Sequence, residues 1–359
     1  MASQAMIRCG EFKTSYARDM TIFPTPTSRA FAILGVVALI LLPVKIGDFT
    51  LVDRYQLNLL IQIGYYGIAA LGLNILVGST GQISLGHAAF FGFGAFSSAW
   101  LNNTTGIPVF FTIPLAGLMT TAVGMIFGIP AGRIKGLYLA IATFASQYIL
   151  EDFFARADWF TGGSAGSLAA SFSVFGWEMG GDRSYFYVVL AYVVVMFLLG
   201  ANLLRSRDGR AFVAVRDHYL SAEVMGINLT KYRILSFGVS SFYAGIGGAL
   251  FGHYLGYVSA EAFTILLSIQ FLAMIIIGGL GSVMGTLMGA AFMVLLPEVM
   301  EFGASRLGGA FPGLQSGIAF LKQASIGLAI ILFLIFEPDG LAHRWRLIKS
   351  YWKLYPFSY

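Results

Sequence analysis

Gln82, Ser84 and His87 are polar side chains set between long apolar runs. Hydrocarbon penalises such groups unless they face a cavity or a partner. Their chemistry is hydrogen bonding, since neutral imidazole donates once and accepts once, while a carboxamide and a hydroxyl do both. That suits a polar, weakly binding route that a solute can enter and leave. The same three groups could equally satisfy backbone atoms freed where a helix breaks at Gly78 and Gly81. Asn74, Gln147 and Gln270 have a simpler use, as interhelical hydrogen bonds.

Catalytic arrangements are absent. Cys9 is the chain's one cysteine, which excludes an internal disulfide and any cysteine-based metal site. His87, His218, His253 and His343 are scattered without ligand spacing, so no metal is expected. No lysine follows a glycine, so the phosphate loop G-x-x-x-x-G-K-[ST] is missing and the chain has no backbone nest for ATP. Nucleophiles and carboxylate pairs do not converge into a pattern that an enzyme would need. Neither a resident cofactor nor an enzymatic reaction is expected.

The elements that must position these residues follow from composition. Hydrophobic residues make up 57% of the chain and charged residues only 11%, with 44 Gly and 32 Phe. A soluble protein of this length needs far more charge to cover its surface. The fold class expected is therefore all-α, a polytopic membrane protein with about ten apolar segments. They run approximately over residues 30–44, 57–77, 83–101, 109–131, 137–154, 185–204, 234–257, 263–278, 283–296 and 318–336. The pair 263–278 and 283–296 is short and broken at Gly278, Gly279 and Gly281, so half-helices or a re-entrant pair are alternatives to full spans. GSTGQISLGHAAFF, from Gly78 on, echoes GGLGSVMGTLMGAAFM, from Gly278 on, as an internal repeat of glycine-rich breaks would. Small residues recurring where helices pack give the same pattern.

The net charge of +5 comes from 22 basic and 17 acidic residues. The basic residues sit mainly in short loops, so they report orientation rather than nucleic-acid binding. With the amino terminus inside, Arg133, Lys135, Arg205, Arg207, Arg210, Arg216, Lys231, Arg233, Arg344, Arg346, Lys349 and Lys353 all fall in the cytoplasm. Most acids between the spans fall outside. Residues 1–29 then form a cytoplasmic tail, 30–336 the membrane domain and 337–359 a second cytoplasmic tail. Carboxylates lie at span ends rather than within spans, which disfavours a proton-coupled secondary transporter.

The longest polar interruption, residues 205–233, has a helical pattern. Phe212, Val215, Tyr219, Leu220 and Val224 recur on one stripe with a basic opposite face. Gly226 is placed to end this helix in the left-handed conformation, and Asn228 to cap the next.

GRAFVAVRDHYLSAEVMGIN in this segment resembles the cytoplasmic coupling segment of branched-chain amino acid ABC importer permeases. GLNILVGSTGQISLGHAAFFGFGAF, from Gly72, is similar to the same family, as are YLAIATF from Tyr138 and TGGSAG from Thr161. Two departures are visible: Tyr219 stands where the family usually has an acid, and Ser167 separates Gly166 from Leu168. The resemblance implies a permease subunit of the bacterial inner membrane with both termini inside. It implies coupling to two cytoplasmic ATPase subunits through Gly209, Arg210, Arg216, Asp217, Ala222 and Gly226, with ATP bound by those partners. It also implies a homologous permease partner in a heterodimer, a periplasmic substrate-binding protein, contact with membrane lipid and no nucleic acid. The substrate expected is a branched-chain or related amino acid. Urea or a short amide, carried by permeases of the same superfamily, is the alternative.

Overall fold

The computed structural model describes residues 26–46, 49–50, 52–134, 136–174, 177–178, 181–307 and 317–354. Most of the expected amino-terminal tail, with Cys9, lies outside them, as do Lys135 and the last residues of the carboxy-terminal tail. The chain divides into two units, Met1–Asp53 and Arg54–Tyr359. In the first, helix α1 (Pro26–Leu41) is followed by a hairpin of β1 (Lys45–Ile46) and β2 (Phe49–Thr50). Its 16 residues give about 24 Å at 1.5 Å per residue, short of a bilayer core of roughly 30 Å.

The second unit is a bundle of apolar helices. Seven stretches among the described residues are long and apolar enough to cross a membrane. They comprise α2 (Arg54–Asn74) with the π-helical turn Ile75–Ser79, α4 (Val109–Ala131) and α7 (Asp182–Arg205). The others are α10 (Leu229–Leu255), α11 (Ile265–Gly278) with the short turn before it, α12 (Val283–Leu307) and α13 (Ile318–Phe336). Of the alternatives for residues 283–296, the full span holds: α12 runs through Pro297 as one helix of 25 residues. The stretch 137–154 is helical as α5 (Leu137–Arg156), followed by the single turn α6 (Asp158–Thr161). The stretch 83–101 starts later than expected: α3 is His87–Thr105, and Ile83–Gly86 is irregular. In that irregular stretch the Leu85 amide donates to Thr143 Oγ1 of α5 at 3.0 Å, which satisfies a backbone donor that has no helical partner.

Helix α10 is the hub, packed on α2, α3 and α4. Its sequence GIGGALFG places small residues on several faces, and each lets a different neighbour come to backbone distance. A Cβ at Gly94 of α3 would run into the Gly245 backbone, and one at Gly248 would run into the Phe91 carbonyl. One at Gly247 would stand 2.7 Å from the Tyr65 carbonyl of α2. Around this contact Phe91 meets Phe251 and Phe271 at ring-centroid distances of 5.4 Å, and Phe263 at 6.0 Å.

Loops sort onto two ends. At one, the strand β3 (Ser167–Leu168) pairs antiparallel with β6 (Tyr257–Val258), Asn103 donates to the Leu168 carbonyl at 2.8 Å, and Glu301 pairs with Lys322. A second short hairpin, β4 (Ser173–Val174) with β5 (Trp177–Glu178), lies in the same connection. The other end gathers the polar segment after Arg205, the turns at Gly78, Gly132 and Gly279, and α14 (Gly340–Leu354).

Replacing Gly248 by Ala puts a methyl group where only a backbone carbonyl fits, an overpacking cost of about 1–3 kcal/mol. The expected result is a clear loss of monodisperse protein on size exclusion of the detergent extract. Gly327→Ala, at a glycine with open space around it, should leave the yield unchanged.

Candidate functional site

The polar segment folds as α8 (Arg207–Asp217), α9 (Tyr219–Val224) and the start of α10. Ser206 caps α8, its hydroxyl accepting from the Gly209 amide at 3.2 Å. Gly209 is buried at this elbow, where a side chain would collide with the carbonyls of Leu203 and Leu204. Arg210 is exposed and donates to the Arg205 carbonyl at 2.9 Å, tying α8 to the end of α7. Phe212 is fully buried and meets Tyr232 edge to face, while the Tyr232 hydroxyl donates to Asp208 at 3.2 Å. The first helix is thereby fastened to the base of the hub.

One helix was expected from Phe212 to Val224, and the structure has two. His218, at φ −149° and ψ 82°, breaks the run. The single apolar stripe therefore splits. Phe212 and Val215 point into the protein, whereas Leu220, Val224 and Met225 are 64%, 87% and 83% exposed. Ala222 of the second helix is buried. The ending at Gly226 is as the sequence indicates, with φ +86°. The Ile227 amide donates to the Ala222 carbonyl and the Gly226 amide to the Glu223 carbonyl, each at 3.0 Å, the paired bonds of a Schellman ending. Asn228 caps α10 by accepting from the Lys231 amide at 3.0 Å.

Arg216 turns inward. Its guanidinium donates to the Gly78 carbonyl and to Asp217, the latter at 2.8 Å, and its stem lies against Gly81. Asp217 is itself half in solvent. Gly78 belongs to the π-helical turn, a geometry that recurs at functional sites. The two glycine-rich breaks meet here, since no side chain would fit between Gly78 and the Gly281 backbone. Asn74 holds them together. Its carbonyl oxygen accepts from the Gly281 amide at 2.8 Å, and its nitrogen donates to the Ser282 carbonyl at 3.0 Å and Thr286 Oγ1 at 2.6 Å. One arginine of the polar segment thus touches the turn between α2 and α3, which is locked to the turn between α11 and α12.

Gln82, Ser84 and His87 lie in the interior of the bundle. Gln82 donates to Ser236 Oγ at 2.7 Å and Thr80 Oγ1 at 2.9 Å, linking the break to α10. Ser84 Oγ lies 3.4 Å from the Gly86 amide. His87 Nε2 is 2.8 Å from the Ala69 carbonyl. A carbonyl only accepts, so Nε2 carries the proton and Nδ1 is a bare acceptor. Nδ1 of His87 and Oε1 of Gln82 are buried acceptors with no hydrogen-bond partner among the described residues. Gln147 behaves as an interhelical tie, donating to the Phe263 carbonyl at 2.6 Å and accepting from the Ala89 amide at 2.9 Å.

Sequence reasoning missed two polar links. Arg233 was counted as a loop charge but is buried and donates to the Gly132 carbonyl at 3.3 Å. His253 joins three elements near the opposite end. Its Nδ1 donates to the Ala170 carbonyl at 2.7 Å, and its Nε2 accepts from Ser98 Oγ at 2.8 Å, which lies 2.9 Å from Thr112 Oγ1. The signal available was an apolar helix ending in a histidine just before Gly256, with serines on a neighbouring small-residue face.

A bundle of apolar helices with a polar helix pair bonded to its interhelical turns is an all-α polytopic membrane protein. Residues 55–335 match the family described as branched-chain amino acid transport system / permease component, and the chain belongs to that family. It is 31% identical over 319 residues to the LivM high-affinity branched-chain amino acid transport permease of Salmonella typhimurium, covering 81% of this chain and 71% of that one. Escherichia coli LivM is 32% identical over 304 residues, 77% of this chain and 67% of the relative. A probable LivM of Methanocaldococcus jannaschii is 25% identical over 313 residues, 80% and 88% of the two chains. No solved structure matches the chain.

A β-branched residue at Gly226 meets open space, so its whole cost is the positive φ, about 1–3 kcal/mol. Gly226→Val should lower transport while the amount in the membrane persists. Gly226→Asn, which tolerates that conformation, should retain most of the activity in the same uptake assay.

Proposed function

We propose that this chain is the membrane permease subunit of a binding-protein-dependent importer of branched-chain amino acids, driven by ATP hydrolysed on separate subunits. The observation that carries the mechanism is Arg216, which joins a solvent-facing helix pair to the glycine turns of four membrane helices. An ATPase seated on Leu220, Val224 and Met225 would push through α8 and Arg216 onto Gly78 and, through Asn74, onto Gly281. Gly209 and Gly226 fix the two ends of that lever, Arg210 ties it to α7, and Asp217 and Ala222 hold its middle. ATP belongs to the partner subunits, and this chain needs no cofactor.

The names of the relatives, branched-chain amino acid transport permeases, favour branched-chain amino acids over urea or a short amide. The basic end of the bundle belongs in the cytoplasm by the loop-charge rule, with the end bearing Leu168 facing a periplasmic binding protein. The carboxy-terminal segment from 337 then lies inside, as does the tail before α1. A homologous permease would cover part of the apolar flank to make a heterodimer in the inner membrane. Gln82, Ser84 and His87 line the solute's route once the helices part, with the two unpaired acceptors offering hydrogen bonds to an ammonium group.

Uptake of labelled leucine by the assembled system should be competed by isoleucine and valine and not by urea, and the reverse pattern would overturn the substrate. Gln82→Leu with His87→Leu should cut that uptake severalfold at unchanged membrane content. A wild-type rate would remove both residues from the route.

Orientation is read separately in a Cys9→Ser background. A cysteine at Leu168, 72% exposed, should react with an impermeant thiol reagent in spheroplasts. One at Val224 should react only after the membrane is opened. Swapped labelling would invert the topology.

A further inference from the structure

We infer that α14 is a membrane-surface helix whose exposed face binds anionic lipid headgroups and holds the turn between α11 and α12. The inference does not depend on which solute is carried. α14 follows the apolar helix α13 after only Glu337, Pro338 and Asp339. Three residues reach about 10 Å, so the helix starts at the mouth of a membrane span and cannot leave the surface.

Its first turn is built into the bundle. Gly340 has φ +71° and packs against Gly279, and Ala342 is buried against Gly279 and Gly285. Arg344 pairs back onto Glu337. Beyond that point every side chain from Arg344 to Tyr351 is exposed. Trp345, Ile348 and Tyr351 recur at helical spacing and are 56%, 55% and 68% exposed. Arg346 and Lys349 flank them, and α14 contains no Asp or Glu. An apolar stripe with large aromatic side chains, edged only by cations, is the chemistry of a helix lying in the interface of an anionic membrane.

The consequence is mechanical. Gly279 and Gly281 belong to the turn that Asn74 locks to Gly78, so the lipid surface and Arg216 bear on the same glycine turns from different sides. Anionic lipid, by holding α14 down, sets the position from which Arg216 works.

The test uses the full chain in nanodiscs, with Cys9→Ser and an environment-sensitive fluorophore on Ile348→Cys. Both faces of a nanodisc have the same composition, so the outcome is independent of the chain's orientation in the cell. In phosphatidylglycerol-containing discs the label should shift to the blue and be quenched by lipids spin-labelled near the headgroup. In purely zwitterionic discs both effects should fall. Each basic residue near an anionic surface changes the bound ratio about fivefold, so Arg346→Gln with Lys349→Gln should lower it about 25-fold. A second label at Ser350→Cys guards against local disturbance by the first. Labels that stay water-exposed in anionic discs overturn the proposal. So do labels shielded only after ATPase subunits are added, which would assign the face to a protein.

Discussion

Backbone-to-backbone contact around α10 is the constraint on which the bundle rests. Gly245, Gly247 and Gly248 bring α3 and α2 so close that carbonyl oxygens fill the space of absent side chains. In a membrane there is little hydrophobic gain from helix association, so close packing must supply it. The same helix carries Arg233 and Ser236 at one end and His253 at the other, each bonded to a different neighbour. Both ends of the molecule are therefore referenced to one rigid rod.

Polar groups inside the bundle are handled as neutral hydrogen bonds. Asn74, Gln147 and Gln82 spend their amide groups on neighbouring backbones and hydroxyls. Hydrogen bonds between helices in membranes contribute modestly, about 0.6 kcal/mol on average, so they direct register more than they add stability. The acceptors on Gln82 and His87 depart from this economy among the described residues, as do the hydroxyls of Ser97, Ser240 and Ser241.

Much of this was legible in the sequence, for identifiable reasons. Composition alone requires the membrane, and Gly226 with Asn228 announces its turn because glycine is favoured at a left-handed helix ending and asparagine at an N-cap. The echo between the Gly78 and Gly278 regions showed similar breaks but not that they touch, since repetition carries no information about contact. The break at His218 left no mark, because it is a change in one residue's dihedrals and the apolar spacing runs straight through it. Arg216 was expected among the coupling residues and is exposed; what could not be read is its reach to the Gly78 carbonyl, because helical periodicity separates faces while a long arginine at a helix end can swing to either. The later start of α3 could not be read either, because the apolar run continues through Ile83 and Leu85 while the partner of the Leu85 amide, Thr143, lies far along the chain.

The pairing of β3 with β6 bears on how the molecule is made. Ser167–Leu168 emerges from the ribosome well before Tyr257–Val258, with α7 and α10 between them. Contacts so distant in sequence close late because the intervening loop must first be ordered. The connection after α5 therefore stays open until α10 has been threaded into the bilayer. Its closure marks a completed hub.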